Sequence, residues 1–192
     1  LTNSDELAEQ SRLLRSHGMV RDLPQLRKNE NANAPWYYEM QRLGYNYRLS
    51  DINCALAINQ IPRLEININR RQRIAELYYK YLAGLEYIDL PEKIFPSHGV
   101  HAWHLFAPRF DFKKIGKSRS ELMRTLADRG VGTQVHYIPL YRQPYYQHNA
   151  ETIDFVGSES YYQQTLSLPM YYGLNDADVS KIAQIIRSVV DK

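Results

Sequence analysis

The sequence predicts a mixed α/β protein in which helices dominate the first part and a compact α+β layer closes the chain. Three observations carry that expectation. Leu64, Ile68, Ile74, Leu77, Tyr78, Tyr81 and Leu82 hold a helical stripe that runs past Arg70, Arg71 and Arg73. From Tyr87 onward the pattern changes to short strand-like runs separated by helical stretches. Near the end, Val179, Ile182, Ile185, Ile186, Val189 and Val190 recur at helical spacing behind an Asn175 and Asp178 pair placed as in a capping box. Strands with helices gathered on one face make such a layer.

Taken in order, Ser4-Asp5-Glu6 caps a helix with Leu7, Leu13 and Leu14 on one face, fading by Arg15-Ser16-His17-Gly18. To about Pro35 the chain has no period and carries Pro24, Lys28, Asn29, Asn31 and Asn33, which reads as a long surface loop. Trp36 to Leu43 alternates as a short strand or hairpin arm. Ser50 then caps a helix in which Asp51 opens the first turn, Ile52, Leu56 and Gln60 share a face, and Cys54 reads as a small buried hydrophobe. Pro62 stands where a second helix begins, and that helix extends to about Leu85, where a domain boundary is expected. This gives two parts, residues 1–85 and residues 86–192. In the second, Tyr87–Leu90, His101–Phe110 and Thr133–Ile138 read as strands. Ser118 or Ser120 caps a helix stopping at Gly130, Ser158 starts a short one, and Asn175 starts the last.

Composition narrows the class. With 192 residues and 44% hydrophobic content the chain can bury a core. A net charge of +3, with its cations interspersed among acids, is no nucleic-acid footprint. No apolar run approaches the ~18 residues of a membrane span. The single cysteine excludes an intrachain disulfide and fits a reducing, cytoplasmic compartment. Sixteen tyrosines suit a wet cleft or a subunit interface, because each phenol needs a polar partner when buried. His98, His101 and His104 are spaced by three, but Trp103, Leu105 and Phe106 favour a strand, on which a shared metal is not expected.

Five segments share a resemblance. Gly44-Tyr-Asn-Tyr-Arg48, Arg15-Ser-His-Gly18, His104-Leu-Phe-Ala-Pro-Arg109, Gly130 to Pro139 and Leu166-Ser-Leu-Pro-Met-Tyr171 resemble, in order, motifs of the DegT/StrS family of sugar-nucleotide aminotransferases. Within it the nearest likeness is to the transaminases of pseudaminic acid synthesis. The resemblance implies the C-terminal portion of a fold type I aminotransferase: the end of the large domain, connecting helices and a small α+β domain. It also implies pyridoxal 5'-phosphate as cofactor, an amino-acid donor such as L-glutamate, a nucleotide-linked 4-keto-6-deoxy sugar as acceptor, and a homodimer. The family's Schiff-base lysine precedes the Arg-x-His-Gly turn, so it is expected upstream of Leu1. The eight lysines of this chain lie in none of the small, apolar surroundings that make an amine nucleophilic. On that expectation the chain by itself does not transaminate, and a non-catalytic regulatory or binding protein on the same fold is the alternative.

By the same resemblance, Asn46 reaches the cofactor phosphate of the neighbouring subunit. A neutral amide beside a helix N-terminus is a suitable donor for it; an Asx-turn before the helix is the other use of that amide. Arg48 suits a phosphate or a substrate diphosphate through its planar fork, or else an ion pair with Asp51. His136, Tyr137 and Tyr141 are expected in the sugar-nucleotide site. His136 and Tyr137, on a strand, point to opposite faces. A structural histidine remains the other reading of His136, and His17 is expected only to hold its turn.

Overall fold

A computed structural model describes residues 1–26, 34–93, 99–147 and 155–191. Packing divides them into two compact units, Leu1–Pro62 and Arg63–Lys192. The loop expected around Lys28, Asn29, Asn31 and Asn33 lies mostly outside the described residues, as does His98.

In the first unit, α1 (Asp5–Arg15) starts at Ser4, whose hydroxyl accepts from the Leu7 amide. Strands β1 (Met19–Val20) and β2 (Glu39–Met40) pair antiparallel, Met19 opposite Met40. The expected strand over Trp36–Leu43 therefore shrinks to two residues. Helix α2 (Asp51–Gln60) begins at Ser50, whose hydroxyl accepts from the Asn53 amide. Its apolar stripe is uncovered among the described residues: Ile52 is 75% exposed, Leu56 is 59% exposed, and Cys54 is only partly buried. The expectation that Cys54 is a buried hydrophobe in this helix is corrected accordingly, because α2 has no buried residue among the described ones.

The second unit opens with α3 (Leu64–Leu82), which follows a single 3₁₀ turn over Ile61–Arg63. Its inner face, Ile74, Leu77, Tyr78 and Leu82, packs on α8 (Asp176–Val190) through Val179, Ile182, Ile186 and Val190. The Asn175 and Asp178 side chains exchange bonds with backbone N–H groups, so the expected capping box is present. Arg70 and Arg73 reach Asp176 at the start of α8, and Arg187 near its end donates to the Tyr81 and Ala83 carbonyls, tying the pair at both ends. Helix α4 (Phe112–Ile115) ends at Gly116. Helix α5 (Arg119–Asp128), boxed by Ser118 and Glu121, adds Leu122 and Leu126 to the core.

The sheet is ragged. β3 (Ile88–Asp89) pairs with β4 (Arg109–Phe110), Ile88 opposite Phe110. Residues 165–168 then lie between residues 106–109 on one side and Gln134 on the other. Leu166 and Leu168 donate to the Pro108 and Phe106 carbonyls, and Ser167 exchanges two backbone bonds with Gln134. The strand expected over Thr133–Ile138 is thus an isolated bridge at Gln134. The strand expected over His101–Phe110 is broken at Trp103, whose φ of 47° turns the chain. The two short helices α6 (Pro144–Gln147) and α7 (Val156–Gln164) complete the unit.

Candidate functional site

The Gly44–Arg48 loop is held by backbone hydrogen bonds. The Tyr45 and Tyr47 amides donate to the Leu14 and Arg15 carbonyls at 2.8 and 2.9 Å, and the His17 amide donates to the Tyr45 carbonyl at 2.9 Å. His17 and Gly18 adopt left-handed φ values of 61° and 67° to turn the chain beneath it. A Cβ on Gly44 would stand 2.4 Å from the Gly18 nitrogen, and one on Gly18 would stand 1.8 Å from the Arg42 carbonyl oxygen. Two backbones therefore meet where no side chain fits, which explains why both motifs carry glycine there. Tyr45 and Tyr47 stack at 5.0 Å on either side of Asn46 in sequence.

This frame leaves Asn46 exposed with no side-chain hydrogen bond among the described residues, so the Asx-turn is not formed. Arg48 is likewise exposed and forms no ion pair with Asp51 or any other described residue. It lines an open cleft of about 940 Å³ together with Arg12 and Arg42, opposite Glu6 and Glu9 of α1. An uncommitted amide and an uncommitted guanidinium beside a helix N-terminus fit part of a phosphate cradle. Asp51 opposes an anion at the helix end itself, so the two side chains supply the donors.

A second grouping lies in the other unit. His104, Gln134, His136, Ser167 and Met170 line a cavity of about 300 Å³. His136 Nδ1 is 2.8 Å from the hydroxyl of Ser167, which is only 4% exposed. Thr133 Oγ1, in the same wall, is buried without a partner among the described residues. Arg71 of α3 donates to the carbonyls of Trp103, His104 and Met170 at 3.0, 3.2 and 3.1 Å, pinning two walls of the cavity from behind. Sequence reasoning placed Arg71 only on a helix stripe and missed Ser167 as a partner of histidine. The Leu166-Ser-Leu-Pro segment was the available signal, since a serine between two leucines on a strand faces a different way from both.

The remaining expected residues fare differently. Tyr137 is 72% exposed and lies off any strand, so the opposite-faces argument is replaced by the bridge geometry at Gln134. Tyr141 donates to Glu159 at 3.0 Å, and Arg142 pairs with the same carboxylate, so the phenol's proton is already engaged. Partial burial and that hydrogen bond raise the Tyr141 phenol above its ordinary value. Bonds from Gln163, Tyr141 and Arg142 lower the Glu159 carboxyl. His101 accepts from the Trp103 amide, and no group of three His, Cys, Asp or Glu side chains among the described residues is placed to hold a metal.

Two helices clamped over a ragged sheet, and a glycine-locked loop earlier in the chain, resemble about half of the fold seen in fold type I pyridoxal phosphate aminotransferases. The chain matches over 99% of its length a solved structure of Helicobacter pylori PseC, an aminotransferase involved in the biosynthesis of pseudoaminic acid, with a TM-score of 0.81 and 27% identity. It matches over 100% of its length S. venezuelae DesV, with a TM-score of 0.79 and 28% identity. These matches cover 47% and 46% of the solved chains. Among curated relatives, the spore coat polysaccharide biosynthesis protein SpsC of Bacillus subtilis is 36% identical over 98% of this chain and 48% of its own. The chain spans about half the length of the curated relatives it matches. The model of the DegT/DnrJ/EryC1/StrS aminotransferase family matches residues 1–187, and the chain belongs to that family. Its aminotransferases are pyridoxal phosphate enzymes. No helix among the described residues is long and apolar enough to cross a membrane.

Proposed function

We propose that this chain is the C-terminal half of a cytoplasmic, homodimeric aminotransferase that moves an amino group from an amino acid, such as L-glutamate, to a nucleotide-linked 4-keto-6-deoxy sugar in cell-surface glycan synthesis of the pseudaminic-acid type. Residues 1–85 end the large domain and 86–192 form the small one. The observation that carries the reading is the Gly44–Arg48 loop: both of its recognition side chains are exposed and unspent, on a backbone too tightly packed to drift.

In the intact enzyme the cofactor supplies an electron sink for the carbon that gains or loses the amine. The chain's own residues bind and orient. Asn46 donates its amide to the phosphate held by the partner subunit without adding charge, and Arg48 adds a guanidinium. Across the small domain, His136 and Tyr137 offer polar atoms to the sugar nucleotide. Tyr141, whose proton Glu159 already takes, offers only its oxygen as acceptor. The role these residues take is recognition.

In the intact protein, Asn46→Ala should weaken pyridoxal phosphate retention by about tenfold, roughly one charge-assisted hydrogen bond. Retention is read from cofactor absorbance after gel filtration. Unchanged retention would remove Asn46 from the site. Intact protein that takes up no cofactor at all favours the non-catalytic reading on the same fold.

A further inference from the structure

Ser167 stands out among the buried polar groups because its surroundings allow its hydroxyl only one use. Its backbone is fixed by the reciprocal pair with Gln134, at 2.8 and 3.2 Å, and its flanking residues Leu166 and Leu168 are buried in the core. The hydroxyl sits 2.8 Å from His136 Nδ1 and has no other partner among the described residues. A hydroxyl carries one proton and an imidazole nitrogen carries one or none. If Nδ1 donated to Ser167, the hydroxyl proton would have no acceptor among the described residues. If Ser167 donates to Nδ1, both atoms are satisfied, and the ring proton of the neutral imidazole must lie on Nε2.

We propose that Ser167 is a positioning residue for His136: its buried hydroxyl donates to Nδ1, locks the Nε2–H tautomer, and makes His136 a hydrogen-bond donor toward an acceptor oxygen of the ligand. The consequence is a specific chemistry for the cavity wall. A carbonyl, hydroxyl or phosphate oxygen is accepted at Nε2, and a group that offers only donors is refused. The sheet supplies the precision, because Ser167 and His136 lie on the two segments joined by the Gln134 bridge, which fixes the backbone from which both side chains extend. His104 shares the cavity, and Arg71 holds its backbone carbonyl, so the opposite wall is held from the helix side. Only the identity of the ligand rests on the sugar-nucleotide reading above; the serine and histidine pairing stands on its own geometry.

Long-range proton–nitrogen NMR on the ¹⁵N-labelled intact protein reads the tautomer directly. The expected result is a His136 ring whose neutral form carries its proton on Nε2 and none on Nδ1. Ser167→Ala is expected to give a mixture of both tautomers, and Ser167→Thr, which keeps a hydroxyl, to restore the single form. A wild-type ring protonated on Nδ1, or a tautomer unchanged in Ser167→Ala, overturns the proposal. Because the wild-type spectrum decides the first point, the test survives a variant that fails to fold. Binding of UDP-N-acetylglucosamine as probe should weaken about threefold in Ser167→Ala and recover in Ser167→Thr. A tautomer change without any change in probe affinity supports the positioning role and overturns the placement of His136 in a sugar-nucleotide site.

Discussion

Residues 1–62 and 63–192 are held together by different physics. The second unit has a continuous core in which Phe106 lies 4.9 Å from Tyr78 and 5.6 Å from Trp103, with α3 and α8 closed over it. Among the described residues of the first unit the buried apolar side chains are Val20 and Leu26, while Trp36, Leu43, Ile52, Leu56 and Ile58 are exposed. What organises that unit locally is the contact of two glycine backbones and the amide bonds around it. Side-chain volume therefore decides stability in one region, and the absence of side chains decides it in the other.

The sharpest way to break this contrast is truncation of the core. Phe106→Ala removes a fully buried ring from an aromatic cluster and should cost about 3–5 kcal/mol. The matching change on α2, Ile52→Ala, should stay within about 0.5 kcal/mol. Urea unfolding of the isolated chain measures both, and a large loss at Ile52 would show that its face is covered in solution. The next effect runs the other way. Gly44→Ala forces a methyl onto backbone atoms and should cost about 1–3 kcal/mol, whereas glycine to alanine is ordinarily a mild change. Amide exchange at Tyr45 and Tyr47, whose N–H groups donate across the contact, should accelerate; unchanged protection there would mean that the loop is fastened some other way.

The smallest effect is electrostatic. Hydrogen bonds from Arg70, then from Arg73, hold the Asp176 carboxyl below its ordinary value. A depressed carboxyl contributes stability that is fully present above the unfolded value and is lost as pH falls through the folded one. The thermal midpoint should therefore decline on acidification below the ordinary aspartate range, and Asp176→Asn should reduce that decline. The Asp176 side chain is 46% exposed, so salt should shrink the effect. A decline unaltered in Asp176→Asn would assign it to other carboxyls.

Much of the fold was legible from short-range chemistry. Ser4, Ser50, Ser118 and Asn175 all cap where they were expected, because a cap is a local contract between one side chain and an amide two or three residues ahead. The stripes of α3 and α8 were legible too: that of α8 faces the core, and that of α3 does so from Ile74 onward, while Leu64 is exposed. The strands were not. Most of the sheet consists of single bridges between residues far apart in sequence, such as Phe106 with Leu168 and Gln134 with Ser167, and periodicity within one segment cannot report its partner. The candidate site divides the same way. Asn46 and Arg48 were picked out by a motif, but their unspent donors became visible only with every neighbour in place.

By itself the sequence pointed to the family and to the capped starts of α1, α2, α5 and α8, whereas the need for glycine at Gly18 and Gly44 emerged from the backbone contact. The tertiary structure alone decided that α2 presents its apolar face uncovered and that Tyr141 spends its proton on Glu159. It also decided that a serine thirty-one residues away faces the ring of His136. The reason is range: a helix turn or a cap closes within four residues, whereas burial and the pairing of polar atoms depend on which distant segments the fold brings into contact.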